Sequence, residues 1–201
     1  HRRDRQPAMR NNRLLMFGDG VIAIIITIMV LELRGPHEFS FEALQPLGPK
    51  LLSYVLSFVT IGIFWSHHHH LLHAVHHVNR AVLWANLHFL FWLSLIPSVT
   101  AWMGEHQFHR VPVAVYGAVV LMVGVSYRLL EQVLVKFHDK ESMLARSVGQ
   151  NLKAWFSFAA YAAAIPLAFV AEWLTMVIYF GVAALWLLPD KRLEGIAVEA
   201  D

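Results

Sequence analysis

The chain contains no cysteine, which removes disulfides and thiolate-held metals and leaves the compartment open. Charge is scarce as well. Only 15% of the 201 residues are Asp, Glu, Lys or Arg, against 57% hydrophobic, and the mean hydropathy is +0.51. That balance lies outside the range of soluble domains and marks an integral membrane protein. No phosphate-binding glycine loop, nucleophile elbow or pair of carboxylates in a plausible cleft is present, so no enzyme is expected. There is no internal repeat of the kind that builds inverted-repeat transporters. A bundle this small usually gains a permeation path by oligomerising.

What is present is a succession of apolar runs, each long enough to cross a hydrocarbon core of about 30 Å at roughly 20 residues per crossing. The first covers Arg13 to Leu33, and others begin near Leu51, Val82, Val111, Leu152 and Trp173. The fold class read from this is an all-α membrane protein with six transmembrane helices per subunit. A basic amino terminus over residues 1–12 precedes a six-helix domain over 13–189, and a tail over 190–201 follows. The first helix is too long, and too poor in small residues at its end, for a cleaved signal peptide. Pro36, Pro46 and Pro49 make the first loop short and irregular. Ala171 and Glu172 are the only break before Trp173, which predicts a tight turn. The polar stretch from Phe137 to Gln150 contains Glu141 to Arg146, able to extend a helix beyond the bilayer.

Lysine and arginine concentrate in cytoplasmic loops. Arg2, Arg3, Arg5, Arg10 and Arg13 put the amino terminus inside. Six crossings then bring Arg80, Arg128, Lys136, Lys140, Arg146, Lys153, Lys191 and Arg192 inside as well, and leave Arg34, Lys50 and Arg110 outside. Both termini are therefore expected in the cytoplasm. A few arginines beside a membrane helix set topology or touch anionic lipid, so the bilayer is the expected partner and nucleic acid is not.

The first helix opens on charge. An intramembrane carboxylate costs several kcal/mol unless it faces a partner or water, so Asp19 must be answered by the rest of the fold. Ile24, Thr27, Ile28 and Leu31 share one stripe of this helix at spacings of three and four. Asp19 stands about 140° away from Ile24 around the axis. Isoleucines so spaced ordinarily meet lipid or core. In a symmetric assembly centred on the stripe, they form a ring of branched side chains that constricts a pore and gates it by dewetting. Glu32, at the outer end, is either a cation-concentrating pore mouth or a hydrated flank.

The second helix ends in FWSHHHHLLHAVHH, Phe64 to His77, with seven histidines in its last eleven residues. His69 with His73, and His73 with His77, have the i, i+4 spacing of zinc ligands. No carboxylate adjoins them in sequence, and interfacial solvation accounts for them equally well. By topology the inner ends of the first three helices coincide, which brings Arg13, Asp19, Trp65, His68, His69 and Asn86 to one depth as a network able to satisfy Asp19.

Three segments carry a resemblance. Arg13, Phe17 and Asp19 in RLLMFGD, followed by GVIAIIITIMVLEL, are similar to the RxxxFSD signature that opens the first helix of the transmembrane protein 175 family of potassium channels. The FWSHHHH run and NLHFLFWLSLIP, Asn86 to Pro97, resemble that family's second and third helices. The last three helices match in hydropathy and length. Gly18 departs from the signature serine, removing a hydroxyl and adding backbone freedom near the helix start.

The resemblance implies a bacterial single-repeat channel of the inner membrane, a homotetramer whose first helices surround a central pore. It implies that Ile24, Ile28 and Leu31 form the hydrophobic constriction, and that Thr27 supplies a hydroxyl layer associated with potassium preference. Arg13, Phe17, Asp19, His68 and Asn86 are then supporting contacts. Independently, no TVGYG-like segment supplies carbonyl rings, so selectivity for monovalent cations must come from side chains and pore width and is expected to be modest. No resident cofactor is expected; potassium is the permeant ion, with zinc at the histidines as a secondary expectation. The competing readings are a proton-coupled or divalent-metal transporter using the histidines, and a b-type cytochrome with His70 and His88 as axial ligands.

Overall fold

The computed structural model describes residues 11–33, 35, 40, 44–73, 78–137 and 152–188. These form α1 (Asn11–Leu31), α2 (Leu47–His73), α3 (Arg80–Ser94), α4 (Ile96–Glu105), α5 (Arg110–Phe137), α6 (Leu152–Leu167) and α7 (Glu172–Leu187). The amino- and carboxy-terminal tails, His76, His77 and the Glu141–Arg146 stretch lie outside the described residues.

α3 and α4 are one rod over Arg80–Glu105, interrupted at Leu95. Pro97 has no N–H to give back along the helix, and the Leu95 N–H turns to the Trp92 carbonyl at 3.2 Å instead. The rod begins where the Asn79 side chain accepts the Val82 N–H at 2.9 Å, an N-cap. Six rods thus make an all-helical bundle, and four of them (12–31, 47–73, 80–105 and 110–136) are long and apolar enough to cross a membrane. α6 and α7 have 16 residues each, a rise of about 24 Å. α6 starts where the described residues resume, and at its other end Pro166 sits in the last turn, with residues 168–171 forming the turn into α7.

Successive rods run antiparallel. The near end of the bundle holds the start of α1, the end of α2 and the start of α3, sealed by Leu14, Leu15, Leu71, Leu72, Val82, Leu130 and Leu134. At the far end Lys50 on α2 meets Glu105 on α4 at 3.6 Å, and Arg110 on α5 meets Glu172 on α7 at 3.5 Å. Among the described residues, Arg13, Arg80, Arg128, Lys136 and Lys153 fall toward the near end, and Lys50 and Arg110 at the far end.

The main core joins all seven helices around buried Phe89, Tyr116, Tyr161 and Tyr179, with Ile22, Ile25 and Met29 contributed by α1. Tyr161 stacks on Tyr179 at 5.0 Å and 17°, and the Tyr179 hydroxyl donates to the Val113 carbonyl at 3.1 Å. Gly117 admits that ring, because a Cβ there would overlap the Tyr179 hydroxyl. Ser57 and Thr100 share a buried 2.6 Å hydrogen bond between α2 and α4. Polar pairing of this kind joins helices within a bilayer at roughly 0.6–2 kcal/mol a contact.

α1 stands at the edge of this arrangement, packed chiefly on α2, α3 and α4. Its outer face is left uncovered by the subunit.

Candidate functional site

The two faces of α1 differ sharply. Leu14, Leu15, Ile22, Ile25 and Met29 are buried against the subunit, whereas Ile24 is 58% exposed, Ile28 46% and Leu31 73%. Thr27 is exposed beside them. The exposed set is longer than the stripe read from the sequence. Arg13, Phe17, Gly20, Ile24, Thr27 and Leu31 are all exposed and follow one another at intervals of four, three, four, three and four. That is a heptad seam, the spacing by which helices meet other helices around a common axis. Gly20 was not part of the stripe read from the sequence; its exposure adds it.

Thr27 is committed in one respect. Its hydroxyl proton goes to the Ile24 carbonyl at 2.9 Å, which leaves oxygen lone pairs on the exposed side. Glu32 lies just past the helix end, exposed, with its N–H on the Met29 carbonyl at 3.3 Å.

Asp19 is answered by α2. The Trp65 indole N–H donates to Oδ1 at 2.9 Å, and His69 Nδ1 stands 3.7 Å from Oδ2. Trp65 and His69 are four residues apart and so project from the same side of α2; their rings lie 5.5 Å apart. The Asp19 side chain keeps about a third of its surface open, so water contributes to its solvation as well.

One turn of geometry away, a second contact joins α1, α2 and α3. His68 is fully buried; its Nε2 is 2.7 Å from Asn86 Oδ1, and its ring stacks on Phe89 at 5.1 Å and 17°. Asn86 and Phe89 share a face of α3, a signal available from their i, i+3 spacing. An oxygen can only accept, so Nε2 carries the proton.

Gly18 lies directly under this ring. A Cβ there would sit 2.8 Å from His68 Cε1, and no glycine among the described residues has a positive φ. The sequence reading had Gly18 remove a hydroxyl and add backbone freedom near the helix start. The structure replaces that freedom with a steric role: the glycine sits in regular helix and lets a buried imidazole approach the backbone.

The proposed support set therefore divides. Asp19, Trp65 and His69 form one group, and His68 with Asn86 another. Arg13 and Phe17 are brought into neither, because both lie on the uncovered face of α1. Among the described residues His69 and His73 are ring neighbours at 4.4 Å, yet no three His, Asp or Glu side chains gather as a metal-ligand set. His88 holds the Trp92 indole N–H at 3.1 Å, a packing role on its own helix.

Replacing Asn86 with leucine should lower subunit stability by about 1–2 kcal/mol, because His68 Nε2–H is then buried without a partner. The His68→Phe, Asn86→Leu double variant should recover at least half of that. Thermal unfolding of the four members of this cycle measures the coupling.

Comparison with known proteins now bears on this geometry. A potassium channel of a Chryseobacterium species (strain P1-3) is 44% identical over 186 residues, 92% of this chain and 97% of that one. The chain belongs to the TMEM175 family. The model of that family, described as endosomal/lysosomal potassium channel TMEM175, matches residues 13–97. That span runs from the arginine of the signature to Pro97, the three helices that carry the sequence resemblance. A crystal structure of a lysosomal potassium-selective channel TMEM175 homolog from Chamaesiphon minutus superposes with a TM-score of 0.72 at 25% identity. It covers 88% of this chain and 96% of that one. An endosomal/lysosomal proton channel TMEM175 from Gallus gallus is 27% identical over 150 residues, 67% of this chain and 30% of the longer relative.

Proposed function

We propose that this TMEM175 member is a potassium-permeable cation channel whose ion path lies along the exposed seam of α1, in an assembly of four subunits. The observation that carries this reading is the seam itself. Within one subunit, the helix with the family signature leaves Phe17, Ile24, Ile28 and Leu31 uncovered along its length. Around a fourfold axis that stripe has partners, and Ile24, Ile28 and Leu31 become successive rings that exclude water and act as the gate. Thr27 lies between them, with hydroxyl lone pairs available to a partly dehydrated cation. Glu32 supplies charge at the mouth.

The division of the buried contacts fits the same assignment. Asp19 with Trp65 and His69, and His68 with Asn86, tie the back of α1 to α2 and α3, so neither of these groups stands on the pore-facing side. Arg13 and Phe17, on the seam, belong to the inner opening of the path. The distribution of Lys and Arg between the two ends supports a bacterial inner-membrane protein with both termini in the cytoplasm.

Purified protein in liposomes with an outward potassium gradient tests the activity. Wild type should pass potassium faster than sodium by a modest factor, and Thr27→Val, the same shape without the oxygen, should bring the ratio severalfold closer to one while flux persists. Absence of any cation flux from wild type, or a ratio unmoved by the substitution, contradicts the assignment of Thr27.

A transporter that uses the histidines predicts a different result. Substituting His67, His69 and His70 together would then abolish transport, whereas the channel reading predicts continued potassium flux.

A further inference from the structure

A cavity of about 100 Å³ lies inside each subunit between α2, α5, α6 and α7, remote from the exposed seam of α1. It runs from Thr60 and Val120, midway along their helices, to Arg128 and Glu131 near the inner end. Its walls are aromatic and aliphatic, with Phe64, Phe158 and Trp186 among them. An engineered apolar cavity of about 150 Å³ takes benzene, so this volume is of the order that one aromatic ring requires, and the cavity is not sealed.

The polar groups at its rim decide what kind of molecule fits. Arg128 is paired with Glu131 at 2.8 Å, so the rim carries no net charge from this pair to hold an ion. The Trp186 indole N–H is committed to Ser157 at 2.9 Å, and the Ser157 hydroxyl to the Lys153 carbonyl at 2.7 Å. His67 differs. Its Nδ1 is 2.7 Å from the Ile63 carbonyl and must donate that proton, which leaves Nε2 of the neutral ring as a lone-pair acceptor. The ring is held edge-on to Trp186 at 4.9 Å and 88°.

We propose that this cavity is a binding site for a small neutral aromatic molecule with one hydrogen-bond donor, of the phenol class, its ring among Phe64, Phe158 and Trp186 and its O–H on His67 Nε2. The site is distinct from the ion path. His67 is two residues from both Trp65 and His69, about 200° around α2. The helix therefore presents the cavity on one face and the hold on Asp19 on the opposite one. Aromatic walls favour offset and edge-to-face contact with a ligand ring, and the donor distinguishes phenol from benzene.

The experiment is titration of the purified full-length protein with phenol and with benzene, followed by ligand-observed NMR, for wild type, Ala183→Phe and His67→Leu. Wild type should saturate with phenol about tenfold more tightly than with benzene, the worth of one added hydrogen bond. Filling the cavity with Ala183→Phe should abolish saturable binding of both, with assembly size and unfolding temperature checked alongside. His67→Leu should bring phenol to the benzene level and leave benzene within about twofold. Should Ala183→Phe fail to fold, His67→Leu decides alone. Binding that never saturates in wild type, survives in folded Ala183→Phe, or falls equally for both ligands in His67→Leu overturns the proposal. So does loss of phenol binding on transfer from detergent to liposomes, which would assign the cavity to a lipid acyl chain.

Discussion

Replacing Ile24 with asparagine should raise potassium flux into liposomes by at least about tenfold over wild type. On the proposed reading, four copies of Ile24 face one another across the axis, and the barrier to an ion there is the cost of keeping water in a narrow apolar ring. Asparagine has as many side-chain heavy atoms as isoleucine but is less bulky and offers both a donor and an acceptor, so it wets the ring. A tenfold increase corresponds to about 1.4 kcal/mol off the barrier, a small share of what four polar groups supply at once. Ile24 is exposed in the subunit, so the substitution leaves the packing of α1 on α2 and α3 intact. Potassium-driven dye quenching checks the rate, with Ile25→Asn, on the buried face, as the contrasting variant. That one should lower assembly yield and give no gain in flux.

The second large effect is expected at Asp19. Changing it to alanine removes the acceptor of the Trp65 indole N–H and the partner of His69. A hydrogen bond to a charged group is worth about 1.5–3 kcal/mol in a protein interior. Asp19 is partly open to water, so the loss is nearer the lower bound, about 1–1.5 kcal/mol per subunit. On the proposed fourfold reading, four subunits share the consequence, since each α1 that tilts away from α2 disturbs the common axis. The assembly should therefore dissociate at detergent concentrations that wild type survives, a shift visible by size-exclusion chromatography. Flux per intact tetramer should keep its potassium preference. A variant that assembles normally but loses selectivity would move Asp19 from support into the ion path.

The sequence was a good guide to this fold where the physics is local. Long apolar runs read as helices because a bilayer admits little else, and the starting points near Leu51, Val82, Val111 and Leu152 fall within four residues of the observed helices. Asp19 announced a need for partners through its cost alone, and topology placed Arg13, Trp65, His68, His69 and Asn86 at its depth, but only the structure singles out Trp65 and His69. Other features depend on what one helix meets in another and leave no local trace. The steric role of Gly18 requires knowing that His68 lies over it. The stacking of His68 on Phe89, the tyrosine cluster around Gly117 and the cavity beside His67 all join segments distant in the chain. Pro97 was visible as a residue, yet the interruption at Leu95 that it causes within a continuous rod was not read from it. The seam was half visible: spacing gave Ile24, Thr27, Ile28 and Leu31, but only their exposure in the folded subunit extends the line back to Arg13.

The absence of cysteine provides the most direct test of where ions pass. Single cysteines placed at Ile24, Ile28 and Leu31, and for contrast at Met29 on the buried face and Leu129 on α5, can each be treated with a cationic methanethiosulfonate while potassium flux is followed. An ion path along the α1 seam predicts that flux falls several-fold at Ile24→Cys, Ile28→Cys and Leu31→Cys and is unchanged at Met29→Cys and Leu129→Cys. Unmodified flux at all three seam positions, with block at Leu129→Cys, would place the ion path on another helix.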